Sequence, residues 1–185
     1  MTLKRLIEGC QKQDRNCQKE LYLRYCKLAI NISLRYARDE HEAKDIVHNA
    51  FIKILTKIET FDFERGQFEG WIRTIVINEA LQLFRSKKEI YSSNQNSSKL
   101  DKEIDPIILD QLNTEDIFQL IHTLPDGYRI VFILSVVEGY KHKEIAQKLG
   151  ITESASRSQL ARAKRMLRQL INEQNTLANA KKNVG

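Results

Sequence analysis

The chain has 185 residues, of which 42% are hydrophobic and 29% are charged, and its formal net charge is +6. This balance is typical of a folded globular protein and argues against wholesale disorder. No apolar run reaches the roughly 18 residues that a membrane-spanning helix needs. The N-terminus also lacks the apolar core and the cleavage site of a signal peptide, so we expect a cytoplasmic protein.

Turn-forming residues and cysteines are both scarce. Seven glycines and two prolines favour long helices over a many-stranded sheet. The three cysteines, Cys10, Cys17 and Cys26, lack CxxC spacing and so indicate neither a disulfide framework nor a metal site. We predict an all-α protein with two small helical domains joined by a flexible linker, and we expect no cofactor.

The first predicted domain comprises residues 1–88. Apolar residues recur every three or four positions through residues 21–36 and again through 46–58, which indicates amphipathic helices. The following segment, 60–66, contains two aromatic residues but no apolar period, so it is predicted to be a loop. Helical spacing resumes at Phe68, and the new helix is predicted to reach Lys88.

The chain changes character after residue 88. Residues 89–113 are rich in Ser, Asn and acidic side chains and have no sustained period, which predicts a flexible linker. A second helical domain is predicted over 114–175, because helical periodicity returns there. The last residues, 176–185, are predicted to form a frayed tail.

The second domain contains a helix-turn-helix pattern in which Lys and Arg outnumber acidic residues. Between Lys141 and Ile171 there are eight Lys or Arg and two Glu, a net of +6 that equals the charge of the whole chain. Gly150 suits the turn because glycine readily adopts positive φ, and Thr152 is the expected N-cap of the second helix. A helix that presents small and basic residues on one face is typical of DNA major-groove binding. Ser156 stands where many such motifs have a branched apolar residue, which predicts looser packing between the two helices.

Two sets of motifs make the chain resemble a known family. Leu124–Arg129, Glu138–Tyr140 and Glu144–Ala146 resemble region four of bacterial sigma factors, while Ala43–Phe51 and Phe68–Arg73 resemble region two. Their order and spacing resemble the extracytoplasmic-function group (group 4) of the sigma-70 family. The resemblance implies a protein without enzymatic activity that binds core RNA polymerase, recognises the −35 and −10 promoter elements and promotes transcription initiation.

The resemblance also implies protein partners. One helix of region two would dock on the clamp helices of the largest polymerase subunit, and its acidic and polar residues suit an Arg-rich partner. Region four would contact the flap domain, and an anti-sigma protein is a further partner that the family suggests. The residues implied in polymerase binding are Glu42, Asp45, His48, Asn49 and Ile52.

Both DNA elements are likewise assigned by the resemblance. Opening a duplex costs roughly 1.4 kcal/mol per base step, and aromatic rings recover about 1–3 kcal/mol for each base that stacks on them. The residues implied in recognition and melting of the −10 element are Phe61, Phe63, Arg73, Asn78, Gln82, Arg85, Lys87 and Lys88. Those implied in −35 recognition are Thr152, Ser154, Ala155, Arg157, Ser158, Ala161, Arg162 and Arg165.

Two other classes of protein fit parts of the sequence. A conventional helix-turn-helix regulator would bind DNA without polymerase, and a dimer would recognise a palindromic site. An enzyme acting on nucleic acid would need clustered carboxylates for metal ions or an activated nucleophile. The acidic residues at 39–45 lack a second acidic cluster to complement them, so the enzyme is the least favoured class.

Overall fold

The structure is a computed structural model that describes residues 1–91 and 114–182. Most of the predicted linker, residues 92–113, lies outside the described residues. Contacts divide the chain into two compact units, residues 1–93 and 94–185. The part that the structure describes is helical and contains no β-strand. The prediction of an all-α fold with two helical domains is therefore confirmed.

Long helices build the first unit. In its described part they are α1 (Leu3–Gln11), α2 (Arg15–Tyr36), α3 (Glu40–Lys57) and α4 (Phe68–Tyr91). Helices α2, α3 and α4 each pack against the other two, and α1 packs against α2. Two single turns of 3₁₀ helix, Ile58–Thr60 and Phe63–Arg65, connect α3 to α4. Helix α4 continues beyond the predicted end at Lys88.

Aspartate side chains cap the N-termini of two of these helices. Asp14 Oδ1 accepts hydrogen bonds from the backbone N–H groups of Asn16 and Cys17 at 2.8 and 3.0 Å, and Asp39 Oδ1 accepts one from Glu42 at 2.8 Å. These bonds satisfy N–H groups that have no partner within the helix. The largest fully buried side chains that α2, α3 and α4 contribute to the core of the unit are Leu21, Ile32, Ile54, Ile72, Ile77 and Leu81.

The second unit is a smaller helical assembly. Its described helices are α5 (Thr114–His122), α6 (Asp126–Phe132), α7 (His142–Leu149) and α8 (Glu153–Lys182). Helices α6 and α7 pack against α8, and α8 is helical through most of the segment that was expected to fray. The buried residues of this core include Ile130, Ile133, Leu134, Ile145, Ala163 and Leu167.

A turn of π helix, Ile133–Val137, follows directly after α6. The backbone N–H of Glu138 donates to the carbonyl of Ile133, five residues earlier, at 3.0 Å, which is the spacing that defines such a turn. Val136 and Val137 stay exposed by 49% and 37%. The backbone then changes direction at Gly139, whose φ of 75° favours glycine.

Candidate DNA-binding and docking surfaces

The helix-turn-helix consists of α7, a turn at Gly150 and the first half of α8. Gly150 has φ 63° and ψ 39°, the left-handed conformation expected at the end of a helix. The Oγ1 atom of Thr152 accepts a hydrogen bond from the backbone N–H of Ala155 at 3.0 Å. Thr152 therefore caps α8 as predicted, and the turn is set by two local signals.

A polar contact joins the two helices of this motif. Ser156 has no exposed surface, and its Oγ lies 2.9 Å from Nδ1 of His142 on α7. Burial, and then the nearby Arg157 guanidinium, hold the pKa of His142 below its ordinary value. The neutral ring is therefore favoured beside the serine hydroxyl. A hydrogen bond thus joins α7 and α8 at Ser156, where the sequence predicted looser packing.

One face of α8 is directed away from the core of the second unit. With 3.6 residues per turn, the residues opposite the buried Ser156, Ala163 and Leu167 are Ser154, Ser158, Ala161 and Arg165.

Three other predicted DNA-binding residues flank this face. Arg157 is ion-paired with Glu153 one turn earlier, and Ala155 lies on the opposite flank beside Arg162. Arg162 Nη1 is 3.3 Å from the Tyr128 hydroxyl of α6. Its guanidinium is therefore oriented partly by its own domain, through a tyrosine of the Leu124–Arg129 motif to which the sequence assigned no such role.

In the first unit, an aromatic cluster lies where α4 begins. The Phe61 ring lies 4.9 Å from both Phe63 and Phe68 and 5.7 Å from Trp71, measured between ring centroids. Phe68 is 2% exposed, whereas Phe63 is 50% exposed. Among the three phenylalanines, Phe68 therefore belongs to the core and Phe63 offers a ring surface to solvent.

The loop that carries this cluster depends on Gly66. Its φ of 151° with ψ of −174° lies in a region that is essentially restricted to glycine. A Cβ added here would meet no atom within 4 Å, so the requirement comes from the backbone alone.

Polar residues follow one another along the exposed side of α4. Asn78, Gln82 and Arg85 are exposed and lie at positions i, i+4 and i+7, which places them on one side of the helix. Arg73 is half-buried nearer the aromatic cluster. Lys87 and Lys88 belong to α4, but their side chains lie outside the described part of the chain.

The sequence did not predict that Lys53 forms an ion pair between α3 and α4. Lys53 Nζ lies 2.6 Å from Glu79 Oε1 and 3.0 Å from Gln82 Oε1. The Glu79 side chain is only 9% exposed, whereas that of Lys53 is 39% exposed. Because 26 residues separate Lys53 from Glu79, no local pattern relates them.

Helix α3 presents a polar surface on its free side. Asp45, His48, Asn49 and Ile52 are all exposed, and Ile52 is 50% exposed despite its apolar side chain. Asp45 Oδ2 lies 3.3 Å from His41 Nδ1 one turn earlier.

The fifth residue predicted for this surface, Glu42, has a structural role. One of its carboxylate oxygens accepts a hydrogen bond from the backbone N–H of Arg38, so it closes the N-terminus of α3.

Two absences concern the described residues only. Within residues 1–91 and 114–182, no helix is long and apolar enough to cross a membrane. The same residues contain no group of three or more histidine, cysteine or acidic side chains that could hold a metal ion.

Family models and relatives agree on the kind of protein. The model of Sigma-70 region 2 matches residues 21–90 and that of Sigma-70 region 4 matches residues 114–167. The ECF RNA polymerase sigma factor SigW of Bacillus subtilis is 27% identical over 192 residues, which cover 94% of this chain and 98% of SigW. The ECF RNA polymerase sigma factor SigE of Mycolicibacterium smegmatis is 24% identical over 80% of this chain, which spans 59% of that relative.

A solved structure shares the fold. The sigma factor RpoE of Bartonella quintana, crystallised with the anti-sigma factor NepR, matches with a TM-score of 0.51 and 19% identity, over 83% of this chain and 96% of that chain. Together, the helix-turn-helix, the aromatic loop and the all-helical units define a DNA-binding protein of transcription. The chain belongs to the sigma-70 family of RNA polymerase sigma factors, in its extracytoplasmic-function group.

Membership of this family establishes the general activity. The chain is an initiation factor that binds core RNA polymerase and recognises promoter DNA, and sigma factors act in initiation without being enzymes. The alternative of a conventional helix-turn-helix regulator is not supported, because the N-terminal block matches region 2.

Proposed function

We propose that three surfaces of this chain divide the work of initiation. The exposed side of α3 binds the largest polymerase subunit, the Phe61–Gly66 loop with α4 opens and reads the −10 element, and α8 reads the −35 element. The observation that carries the proposal is that both DNA-reading segments expose rings or polar groups within the two matched regions. The chain itself performs no catalysis, and it acts in the cytoplasm with polymerase.

The α3 surface suits a helical, arginine-rich partner such as the clamp helices. Asp45 supplies a carboxylate, His48 and Asn49 supply hydrogen-bonding groups, and the exposed Ile52 supplies apolar area on an otherwise polar face. An apolar anchor surrounded by polar groups is the usual anatomy of a protein interface. Glu42 supports this surface by closing its helix, so we assign it a smaller share of the contact.

The −10 proposal rests on the accessible ring of Phe63. This ring is supported from behind by Phe61, which in turn contacts the buried Phe68, so it is held in place before DNA arrives. A base that leaves the duplex can stack on it and recover about 1–3 kcal/mol, which is comparable to the roughly 1.4 kcal/mol needed to open one base step. Asn78, Gln82 and Arg85 then follow along the same helix towards the DNA backbone and base edges.

The −35 proposal rests on the outward face of α8. Ser154, Ser158 and Ala161 are small, so the helix backbone can come close to base edges in the major groove. Arg157, Arg162 and Arg165 surround them with guanidinium groups that bind phosphates or guanine. Thr152 and Ala155 begin the helix at the end expected to enter the groove.

Two further protein contacts complete the proposal. The second unit contacts the polymerase flap domain, for which the exposed Val136 and Val137 provide apolar area. An anti-sigma protein is also a partner of this chain, and the fold it shares with a sigma factor crystallised with the anti-sigma factor NepR supports this assignment.

Run-off transcription tests the proposal as a whole. Purified chain and core polymerase are incubated with fragmented genomic DNA, and the transcripts are sequenced. We expect discrete start sites preceded by two shared elements at −35 and −10. The Asp45→Arg variant should abolish them, because it reverses the charge of an exposed carboxylate on the α3 surface.

A matched charge reversal separates docking from general effects. Glu8 is exposed on α1 and is not one of the residues of the α3 surface, so Glu8→Arg should transcribe like the wild type. Equal loss in both variants would contradict the α3 assignment. Duplex binding by the chain alone, with no transcripts that depend on core polymerase, would contradict the whole proposal.

A further inference from the structure

The first turn of α6 lies against α8 beside an arginine that is predicted to bind DNA. Gly127 packs on Gln159, since a Cβ added to the glycine would lie 3.6 Å from the side-chain oxygen of the glutamine. Three residues further along α8, Nη1 of Arg162 donates a hydrogen bond to the Tyr128 hydroxyl at 3.3 Å. Two consecutive residues of α6 therefore contact two residues on the same side of α8.

The turn of α6 that contains Tyr128 is itself held in place. The next residue, Arg129, is 4% exposed, and its guanidinium lies 3.2 Å from the Asp126 carboxylate. The backbone N–H of Arg129 also donates to the carbonyl of Pro125 at 2.9 Å. The half-buried Tyr128 thus offers its hydroxyl as a well-ordered acceptor, which restrains the long side chain of Arg162 before DNA binds.

The position of Arg162 on α8 indicates which part of the DNA it reaches. At about 100° per residue, it lies about 60° around the helix from Arg165, on the side that contacts α6. A guanidinium held on that side faces the wall of the major groove, which consists of backbone phosphates, rather than the base edges that the middle of the outward face approaches. Because a guanidinium has five N–H donors, one bond to a hydroxyl does not exhaust it.

We infer that Tyr128 is a positioning residue for promoter binding, which holds the Arg162 guanidinium so that it binds a backbone phosphate beside the −35 element. The inference rests on the proposed function, since it requires α8 to enter the major groove there. Its further content is that a residue of α6 acts through Arg162, and that this arginine reads no base. Loss of the hydrogen bond that orders the arginine should weaken promoter binding about twofold to tenfold.

The test measures how tightly the complete chain, bound to core polymerase, binds a promoter found by genomic run-off. Tyr128→Phe removes the hydroxyl and keeps the ring, whereas Arg162→Ala removes the group that the hydroxyl positions. Each single variant should bind more weakly, but Tyr128→Phe should cause no further loss in the Arg162→Ala background. Arg157, on the other flank of α8, provides the matched control, because the effects of Tyr128→Phe and Arg157→Ala should be additive.

Salt dependence and base preference test the phosphate contact itself. Arg162→Ala should reduce the slope of log affinity against log salt by about 0.9, whereas Tyr128→Phe should leave the slope unchanged because it removes no charge. The −35 element is then randomised, and the promoter DNA that the polymerase-bound chain retains is sequenced. Both variants should select the same −35 bases as the wild type, since a phosphate contact carries no direct sequence information.

The possible failures are distinguishable. An equal loss from Tyr128→Phe in the wild-type and Arg162→Ala backgrounds would overturn the positioning role. An unchanged salt slope or an altered base preference in Arg162→Ala would overturn the phosphate contact. Any of these results would leave the proposed function standing. A wild type that selects no bases at −35 would instead contradict the proposed role of α8, and the inference with it.

Discussion

Replacing Lys53 with methionine removes the cation that Glu79 depends on. The ammonium lies 2.6 Å from the carboxylate, and the Glu79 side chain is 9% exposed, so water cannot fully replace it. Losing one partner of a fully buried pair destabilises a protein by about 3–5 kcal/mol. Lys53 is itself 39% exposed, which weakens the pair, so we expect a loss of about 2–3 kcal/mol.

Because the chain has a single tryptophan, the loss of stability can be measured in the first unit alone. The sequence contains one tryptophan, Trp71, which contacts Phe61 and Phe68. Its fluorescence during urea or thermal unfolding therefore reports on the first unit of the intact chain. A loss of about 2–3 kcal/mol corresponds to a fall of about 8–24 °C in melting temperature for a unit of this size.

A second variant distinguishes the physical cause. Lys53→Met with Glu79→Leu replaces both charges by apolar groups, which is often neutral or stabilising when a pair is buried. We expect its stability to return to within about 1 kcal/mol of the wild type. If the single variant loses less than about 0.5 kcal/mol, or the double variant is no more stable than the single one, the reasoning about the buried carboxylate is wrong.

Three shorter predictions concern other features. Because the pKa of His142 is lowered in the folded protein, the unfolded chain binds a proton more readily, and the second unit should lose stability as pH falls below about 6.5. Thermal melting followed by circular dichroism should show that the His142→Asn variant lacks this pH-dependent loss of stability. Identical pH profiles for the variant and the wild type would refute the prediction. Gly66→Ala should lower the free energy of unfolding of the first unit by about 1–3 kcal/mol, read from Trp71 fluorescence, because alanine is strained at this φ and ψ; unchanged stability would show that the loop relaxes freely. Arg165→Ala should reduce the slope of log affinity against log salt by about 0.9 for polymerase-bound chain on promoter DNA, and an unchanged slope would exclude a phosphate contact.

Local signals allowed the helix-turn-helix to be predicted closely. Gly150 and Thr152 each act through their own backbone or the next turn, so a single sequence contains the information. The amphipathic helices of the first unit were equally accessible, because burial repeats at a helical period.

Contacts between residues that are far apart in the sequence could not be predicted in the same way. The period is lost in the aromatic loop, so the sequence could not decide which phenylalanine enters the core; the structure assigns Phe68 to it and leaves Phe63 exposed. The bond between Arg162 and Tyr128 spans 34 residues, and the Lys53 contacts likewise depend on how helices pack. The residues proposed to touch DNA and polymerase remain predictions.

The π turn at Ile133–Val137 has a geometric consequence for the region that follows it. A π turn holds one residue more than the α-helical turn it replaces, and each residue of an α-helix advances the chain by about 100°. Deleting one residue here would convert the turn to ordinary α helix and rotate everything after it by about that angle. Tyr140, whose N–H now bonds to the Leu134 carbonyl at 2.9 Å, would lose its register. The extra residue thus sets the direction in which the chain enters α7.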